Sequence, residues 1–361
     1  MKKRRKCVKA VYLACMSAFV LAGCSVHDST KEKAAPEYEQ EEEDKVGPTE
    51  TEEVEEASKT GETAEPTETG ESEEASETGT PAGAAEPEIV DAEWSEYFNG
   101  LNGAAVIYDV SDSRCTMYHR DLALTRRSPC STFKIISSLA ALENGIMEPE
   151  NSTRTWSGEE FWNEDWNKDI DFQEAFRSSC VWYFREVINE IGEDVMQAEL
   201  DRLSYGNCDI SDWEGRLNTN NNNRALTGFW IESSLLISPK EQALVMELIF
   251  GENSDYSEET RNELKQVMLA EEQSDADISI YGKTGMGKAD GVVVDAWFTG
   301  FAESTKETEN MENAKETERR IYFCVYLGKT DGMDVSSARA KEIAVGLVSD
   351  YCAREHAEWK E

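Results

Sequence analysis

Histidine is scarce in this sequence, and its scarcity argues against two common kinds of site. The three histidines, His27, His119 and His356, lie far apart along the chain. A metal site needs several ligands at close spacing, and the nine cysteines form neither a CxxC pair nor a Cys/His cluster that would supply them. A Ser-His-Asp triad is disfavoured too, because no histidine lies near a candidate nucleophile. We therefore predict no metal site.

Basic residues are also few. The chain has 36 lysines and arginines against 74 acidic residues, a formal net charge of −38. Binding of nucleic acid requires a basic surface, so we predict no nucleic-acid partner. Close to half of the excess negative charge lies in residues 31–90, which are also rich in Thr, Ser, Ala, Gly and Pro.

The longest apolar stretch lies near the N-terminus. A basic segment, Met1–Lys6, precedes an apolar run that ends in Leu21-Ala22-Gly23-Cys24. This order is typical of a secretory signal, and the last four residues resemble a bacterial lipobox. We predict a lipoprotein signal peptide over residues 1–23, with lipid on Cys24 tethering the protein to the outer face of the cytoplasmic membrane. An ordinary signal peptide, giving a secreted protein, or a short membrane anchor remains an alternative.

Composition divides the remainder into two parts. Residues 24–90 bury too little apolar surface to offset chain entropy, so we predict a disordered acidic linker there. A solvated spacer or a binding tail would both fit this composition. Residues 91–361 are predicted to form one folded domain.

The apolar pattern of the domain predicts an α+β fold. Two strands near Gly103–Val110 and Thr116–His119 form an N-terminal hairpin, and three more form a C-terminal meander. Together they predict one antiparallel sheet flanked by helices, with a mostly helical inserted subdomain between its two halves. We expect Glu303–Glu318 to be a charged, solvated hairpin loop. The remaining predicted elements are strands at Ser279–Gly285, Val292–Phe301 and Arg320–Leu327, and helices at 131–144, 171–191, 195–203, 239–250, 257–269 and 336–358.

The segment Ser131-Thr132-Phe133-Lys134 has the composition of a nucleophile and its base. A serine three residues before a lysine, at the start of an apolar helix, places both side chains on one helix face. Burial would lower the pKa of the lysine and make it a base for the serine hydroxyl. The same residues would also suit an ordinary helix N-terminus.

Two further motifs follow in order. Ser179-Cys180-Val181 begins 48 residues after Ser131, and Lys283-Thr284-Gly285 lies at the end of a predicted strand. Taken singly, Ser179 fits a helix cap and Lys283 a solvated strand end. In this order and spacing, the three motifs are those of penicillin-binding proteins and serine β-lactamases.

The whole folded domain resembles the class D serine β-lactamases most closely. The shared segments are Ser128–Ile135, in which Cys130 replaces the usual alanine, Ser179–Val181, Tyr205–Asn207, Phe229–Ile231, and Tyr281–Gly285 followed by Trp297–Gly300. The resemblance implies a serine β-lactamase/transpeptidase-like fold and an enzyme that hydrolyses penicillin-type antibiotics and confers resistance to them. It implies no separate cofactor, but CO2 or bicarbonate bound as a carbamate on Lys134.

The resemblance also implies roles for individual residues. Ser131, Lys134 and Ser179 would be catalytic, and the backbone N–H groups of Ser131 and Met286 would form the oxyanion hole. The carboxylated lysine would lie in a pocket of Phe133, Val181, Trp230 and Ile231. Lys283, Thr284, Gly285 and Arg339 would bind the substrate, although Ser336 would equally suit the position of the arginine.

Three questions remain open at this point. The first is whether the protein is instead a β-lactam sensor that stays acylated, or a penicillin-binding transpeptidase or carboxypeptidase. Sensors of this type usually carry asparagine where this chain has Val181, and they include an HExxH segment that this sequence lacks. The second is whether Cys130 and Cys180 are small apolar filler or make the site redox-sensitive. The third comprises substrate range, oligomeric state and the pairing of Cys115, Cys208, Cys324 and Cys352, none of which can be inferred from the sequence.

Overall fold

The computed structural model describes residues 87–217, 222–273, 278–307 and 315–358. The predicted signal peptide, the lipidation site Cys24 and nearly all of the predicted linker lie outside these residues. No helix within the described ranges is long and apolar enough to cross a membrane.

The described strands form one seven-stranded sheet in the order β1-β3-β2-β7-β6-β5-β4. Neighbouring strands are antiparallel except β1 and β3, which are parallel. The predicted hairpin and meander are confirmed, and β2 and β7 join them in the middle of the sheet. The strands are β1 (Glu88–Asp91), β2 (Gly103–Asp109), β3 (Arg114–Tyr118), β4 (Leu269–Gln273), β5 (Ile278–Ala289), β6 (Val292–Glu307) and β7 (Lys315–Gly328).

Helices connect and cover the strands. One predicted helix, residues 171–191, is in fact two, α4 and α5, separated by a bend at Ser178–Cys180. A 3₁₀ turn, Cys130–Phe133, precedes α3. The helices are α1 (Ser95–Phe98), α2 (Arg120–Ala123), α3 (Lys134–Glu143), α4 (Phe172–Arg177), α5 (Val181–Ile191), α6 (Glu193–Leu203), α7 (Pro239–Phe250), α8 (Glu258–Met268) and α9 (Ser337–Glu358).

The sheet has a separate apolar core on each face. On one face, α9 packs its Ala340, Ile343 and Leu347 against strand residues such as Phe298 and Phe323. On the other, the larger core joins α3 and α5–α8 to the sheet. The described domain is therefore of the α+β class, with a sheet flanked by helices as predicted, and the three sequence motifs lie on the side of the larger core.

Two strands and one loop differ from the sequence prediction. β1 begins at Glu88, inside the predicted linker, and β4 occupies residues predicted to end a helix or to lie beyond it. The charged insert is shorter than expected, because β6 continues to Glu307 and β7 begins at Lys315.

Glu303, predicted to be solvated, is 2% exposed. Its carboxylate pairs with Lys265 and Arg320, which compensates the cost of burying the charge.

Candidate active site

Ser131 and Lys134 are brought together by the 3₁₀ turn that precedes α3. In a 3₁₀ helix, side chains three residues apart eclipse each other. The Nζ atom of Lys134 lies 3.1 Å from the Oγ atom of Ser131. The predicted nucleophile and base are thus within hydrogen-bond distance.

Burial makes Lys134 a base. Its side chain is 1% exposed, and its Nζ atom lies 5.3 Å above the ring of Phe184. Desolvation lowers the pKa of the Lys134 ammonium to about 8. At pH 7 most of this lysine is therefore still an ammonium, but about a tenth of it is neutral and able to accept a proton.

Two aromatic side chains pack together at the turn that carries Ser131. The rings of Phe133 and Trp230 stack with centroids 6.0 Å apart, and both side chains are buried. The backbone carbonyl of Trp230 accepts from the Cys130 N–H at 3.0 Å and from the Ser128 hydroxyl at 3.1 Å. These bonds fix the aromatic segment onto the nucleophile turn. The indole N–H of Trp230 makes no hydrogen bond to a described residue.

The predicted pocket residue Val181 is the first residue of α5 and is partly buried. Phe184, which sequence analysis missed, lies three positions later and so shares a helix face with it. Its helical spacing from Val181 is the signal that would have found it. Phe184 places an apolar ring beside the lysine, and Val181 lines the cavity beside Ser131.

Ser179 lies at the bend between α4 and α5 in a left-handed conformation with φ of 58°. This conformation is strained for a residue with a side chain and is typical of functional sites. The indole of Trp166 supports the bend by donating to the carbonyl of Ser178 at 3.0 Å. The hydroxyl of Ser179 accepts a hydrogen bond of 2.5 Å from the Nζ atom of Lys283.

Lys283 is itself buried, with 4% of its surface exposed. Two effects lower the pKa of Lys283 well below its ordinary value: burial, which is the larger, and the positive charge of Lys134. Two lysines and two serines therefore form two neighbouring pairs, Lys134 with Ser131 and Lys283 with Ser179. The structure thus brings the three sequence motifs to one place.

The backbone of β5 approaches the nucleophile turn closely at Gly285. A Cβ atom at this position would lie 2.9 Å from the carbonyl oxygen of Pro129 and 3.2 Å from the backbone nitrogen of Thr132. Glycine is required here because any side chain would push the strand away from Ser131. The next residue, Met286, lines the cavity beside Ser131. Its role in an oxyanion hole remains a prediction.

The cavity beside Ser131 has a volume of about 460 Å³. This lies within the roughly 300–1,000 Å³ typical of small-molecule sites. Val181, Ile231 and Met286 contribute apolar surface, and Trp162 stands at its margin with 74% of its surface exposed. The cavity therefore suits a partly apolar small molecule.

Arg339 lies apart from this cluster. Its guanidinium pairs with Glu342 on the same helix at 2.5 Å, and its backbone N–H bonds to the Ser336 hydroxyl at 3.2 Å. No contact among the described residues joins Arg339 to Ser131, Ser179 or Lys283. Its predicted role in substrate binding is therefore untested by this geometry.

The cysteines beside the catalytic serines are buried thiols. Burial raises the pKa of Cys180 to about 11 and raises that of Cys130 further. Both are free thiols, as are Cys115, Cys208 and Cys324. Within those residues, no group of His, Cys, Asp and Glu side chains has the arrangement of a metal site.

Comparison with known proteins agrees with this geometry. Residues 99–314 match the model of the penicillin binding protein transpeptidase domain. The chain is 30% identical over 254 residues to the probable β-lactamase YbxI of Bacillus subtilis, covering 70% of this chain and 82% of YbxI. A class D β-lactamase structure from Bacillus subtilis has a TM-score of 0.59 and 28% identity, with 72% of this chain and 95% of that chain covered.

A regulatory protein is similar to the same degree. The chain is 30% identical over 218 residues to the regulatory protein BlaR1 of Bacillus licheniformis. The match covers 60% of this chain but only 34% of BlaR1. The chain thus spans about a third of that relative's length.

Proposed function

Since this chain belongs to the family of penicillin-binding protein transpeptidase domains, we propose that it is a serine β-lactamase of the class D type. It hydrolyses the β-lactam ring of penicillin-type antibiotics through an acyl-enzyme on Ser131, and so confers resistance. The observation that carries this proposal is the position of Lys134, almost fully buried and 3.1 Å from the Ser131 hydroxyl.

Acylation begins when Ser131 Oγ attacks the lactam carbonyl carbon. The new C–O bond forms as the C–N bond of the ring breaks, and the serine proton passes to the base. The backbone N–H groups of Ser131 and Met286 stabilise the developing oxyanion. Ser179, which accepts a hydrogen bond from Lys283, relays a proton to the departing lactam nitrogen.

The residues around Lys134 fit a carbamate formed from CO2. Only a neutral amine reacts with CO2, and the lowered pKa of Lys134 supplies one. Phe133, Val181 and Ile231 keep the site apolar, while the Trp230 indole N–H is available to donate to a carbamate oxygen. The carbamate would supply a general base for Ser131 and then for the hydrolytic water.

A β-lactam sensor domain is the second candidate, and the similarity to BlaR1 favours it. A sensor is acylated in the same way but is not deacylated. Val181 supports hydrolysis instead, because its apolar side chain preserves the dry environment that a carbamate requires. The two functions differ after acylation: a hydrolase keeps its general base and is deacylated, whereas a sensor stays acylated. A transpeptidase or carboxypeptidase would also be acylated, but it would process peptidoglycan peptides.

The two candidates differ in the stoichiometry of product. We would mix the purified full chain with a chromogenic β-lactam in bicarbonate buffer and follow product against enzyme concentration. Many equivalents of product per Ser131 are expected, and Ser131→Ala should form none. A burst of one equivalent, with a stable acyl-protein seen by mass spectrometry, would overturn hydrolysis and support the sensor.

We also propose that lipid on Cys24 tethers the protein to the outer face of the membrane. The Leu-Ala-Gly-Cys order in the sequence supports this proposal. Metabolic labelling with a fatty-acid analogue should mark the wild-type chain but not Cys24→Ala. Equal labelling of both proteins would contradict lipidation at this residue.

A further inference from the structure

A second, smaller cavity lies beside Lys283. Its volume is about 150 Å³, below the roughly 300–1,000 Å³ of pockets that hold a whole drug-sized molecule. It therefore suits a single functional group of a ligand. Its polar side chains are those of Arg177, Lys283, Thr284 and Lys341, and apolar residues such as Phe176 and Phe298 form much of the rest.

The charge of this cavity is unusual for the chain. The side chains of Arg177 and Lys341 line it as cations, Lys283 adds an amine, and no carboxylate lines it, although the net charge of the protein is −38. Arg177 is exposed at the end of α4 and forms no ion pair with any residue in the described ranges. Lys341 donates to the carbonyl of Ala270 at 2.9 Å, which holds its ammonium beside β4. Cations gathered without a counter-charge favour an anionic ligand.

Thr284 connects this cavity to the catalytic serines. The Nζ atom of Lys283 donates both to Ser179 Oγ and to Thr284 Oγ1, the latter at 3.3 Å. The threonine oxygen therefore accepts, and its own proton remains available to a ligand. Strand β4 pairs with β5 only as far as Tyr281, so no other described strand pairs with this edge of β5 from Gly282 onward. An anion bound at Thr284 would lie next to the Ser179–Lys283 pair.

We propose that Arg177 and Lys341, together with Thr284, form the subsite that binds the substrate carboxylate, in place of Arg339. This inference rests on the proposed function in taking the ligand to be a β-lactam. Arg339 lies two residues from Lys341 on α9 but directs its guanidinium to Glu342. This subsite would make the protein specific for β-lactams whose carboxylate is not esterified.

The test compares benzylpenicillin with its methyl ester, which lacks the negative charge. The second-order rate of acylation of Ser131 is measured by mass spectrometry in full-length wild type, Arg177→Ala, Lys341→Ala and Arg339→Ala. Arg177→Ala and Lys341→Ala should each slow acylation by the acid about 10-fold, the scale of one hydrogen bond to a charged group, and should leave the ester rate unchanged. Lys329→Ala, at an exposed position, is the control for loss of a cation.

Two results would overturn the inference. One is that Arg177→Ala slows acylation by benzylpenicillin and by its methyl ester equally, which would indicate a structural role for Arg177. The other is a selective loss for the acid in Arg339→Ala but not in Arg177→Ala or Lys341→Ala. The readout is acylation of Ser131 and does not require turnover. If the protein is acylated but never deacylated, the proposed hydrolysis is refuted, and the subsite is still tested by the acylation rates.

A second measurement covers the case in which wild type is not acylated. Acetate should then stabilise wild type against urea at constant ionic strength, and Arg177→Ala or Lys341→Ala should abolish that effect. Stabilisation that persists in both variants would contradict the anion subsite.

Discussion

Replacing Lys134 with methionine should stabilise the folded protein at neutral pH while removing its base. The lysine side chain is 1% exposed, and burial lowers its pKa to about 8 from the ordinary value of 10.5. Holding an ammonium in this position therefore costs about 3 kcal/mol relative to water. Methionine is an unbranched side chain of similar length and carries no charge.

Proton linkage gives this cost a definite dependence on pH. Between pH 8 and pH 10.5 the unfolded chain holds a proton on Lys134 that the folded protein has released, so the unfolding free energy of wild type rises with pH. Below pH 8 both states are protonated, and the folded protein bears the full cost. The unfolding free energy of the variant should exceed that of wild type by about 3 kcal/mol at pH 7, and the difference should shrink toward zero above pH 10.5.

Urea unfolding of both proteins in CO2-free buffer at pH 7 and at higher pH measures this difference. Lys329→Met, at an exposed position, is the matched control and should show no such pH dependence. Added bicarbonate should stabilise wild type alone, because a carbamate forms only on a folded protein that has Lys134. A variant no more stable than wild type at pH 7 would refute the argument that burial lowers this pKa.

Three other predictions concern the site. Ser179→Ala should lower turnover by about 100- to 10,000-fold, the range for general acid–base groups, and an unchanged rate in stopped-flow hydrolysis would remove Ser179 from the proton relay. Trp230→Phe should turn over poorly in ambient CO2 and recover in high bicarbonate, whereas equal activity at both concentrations would show that the indole does not support the carbamate. Iodoacetamide and mild peroxide should leave turnover unchanged, because Cys130 and Cys180 are buried thiols with raised pKa values; inactivation with modification mapped to either residue would instead support a redox-sensitive site.

Only one of the two Ser–Lys pairs is encoded locally. Ser131 and Lys134 are three residues apart, so any helical turn brings them together. The contact between Ser179 and Lys283 joins residues 104 positions apart. The family resemblance placed both residues in one site, but their contact was not predicted, since no local rule relates the two segments.

The parts that sequence reasoning missed depend on tertiary contacts. The bend at Ser179 interrupts an otherwise helical pattern, and it is held by the distant indole of Trp166. Strand β1 resembles the acidic linker in composition, yet it pairs with β3. Glu303 looks like a solvated residue until Lys265 and Arg320 are placed beside it. Arg177 and Lys341 line one cavity although they lie on α4 and α9, far apart in the sequence.

The most direct test of the central claim is reversible dependence of turnover on CO2. Hydrolysis of a chromogenic β-lactam would be measured in buffer stripped of CO2 and again after bicarbonate is restored, with Lys134→Ala as the inactive control. We expect activity to fall on stripping and to return on restoration, because the proposed base is a carbamate on Lys134. Turnover that is the same in both buffers would contradict this mechanism.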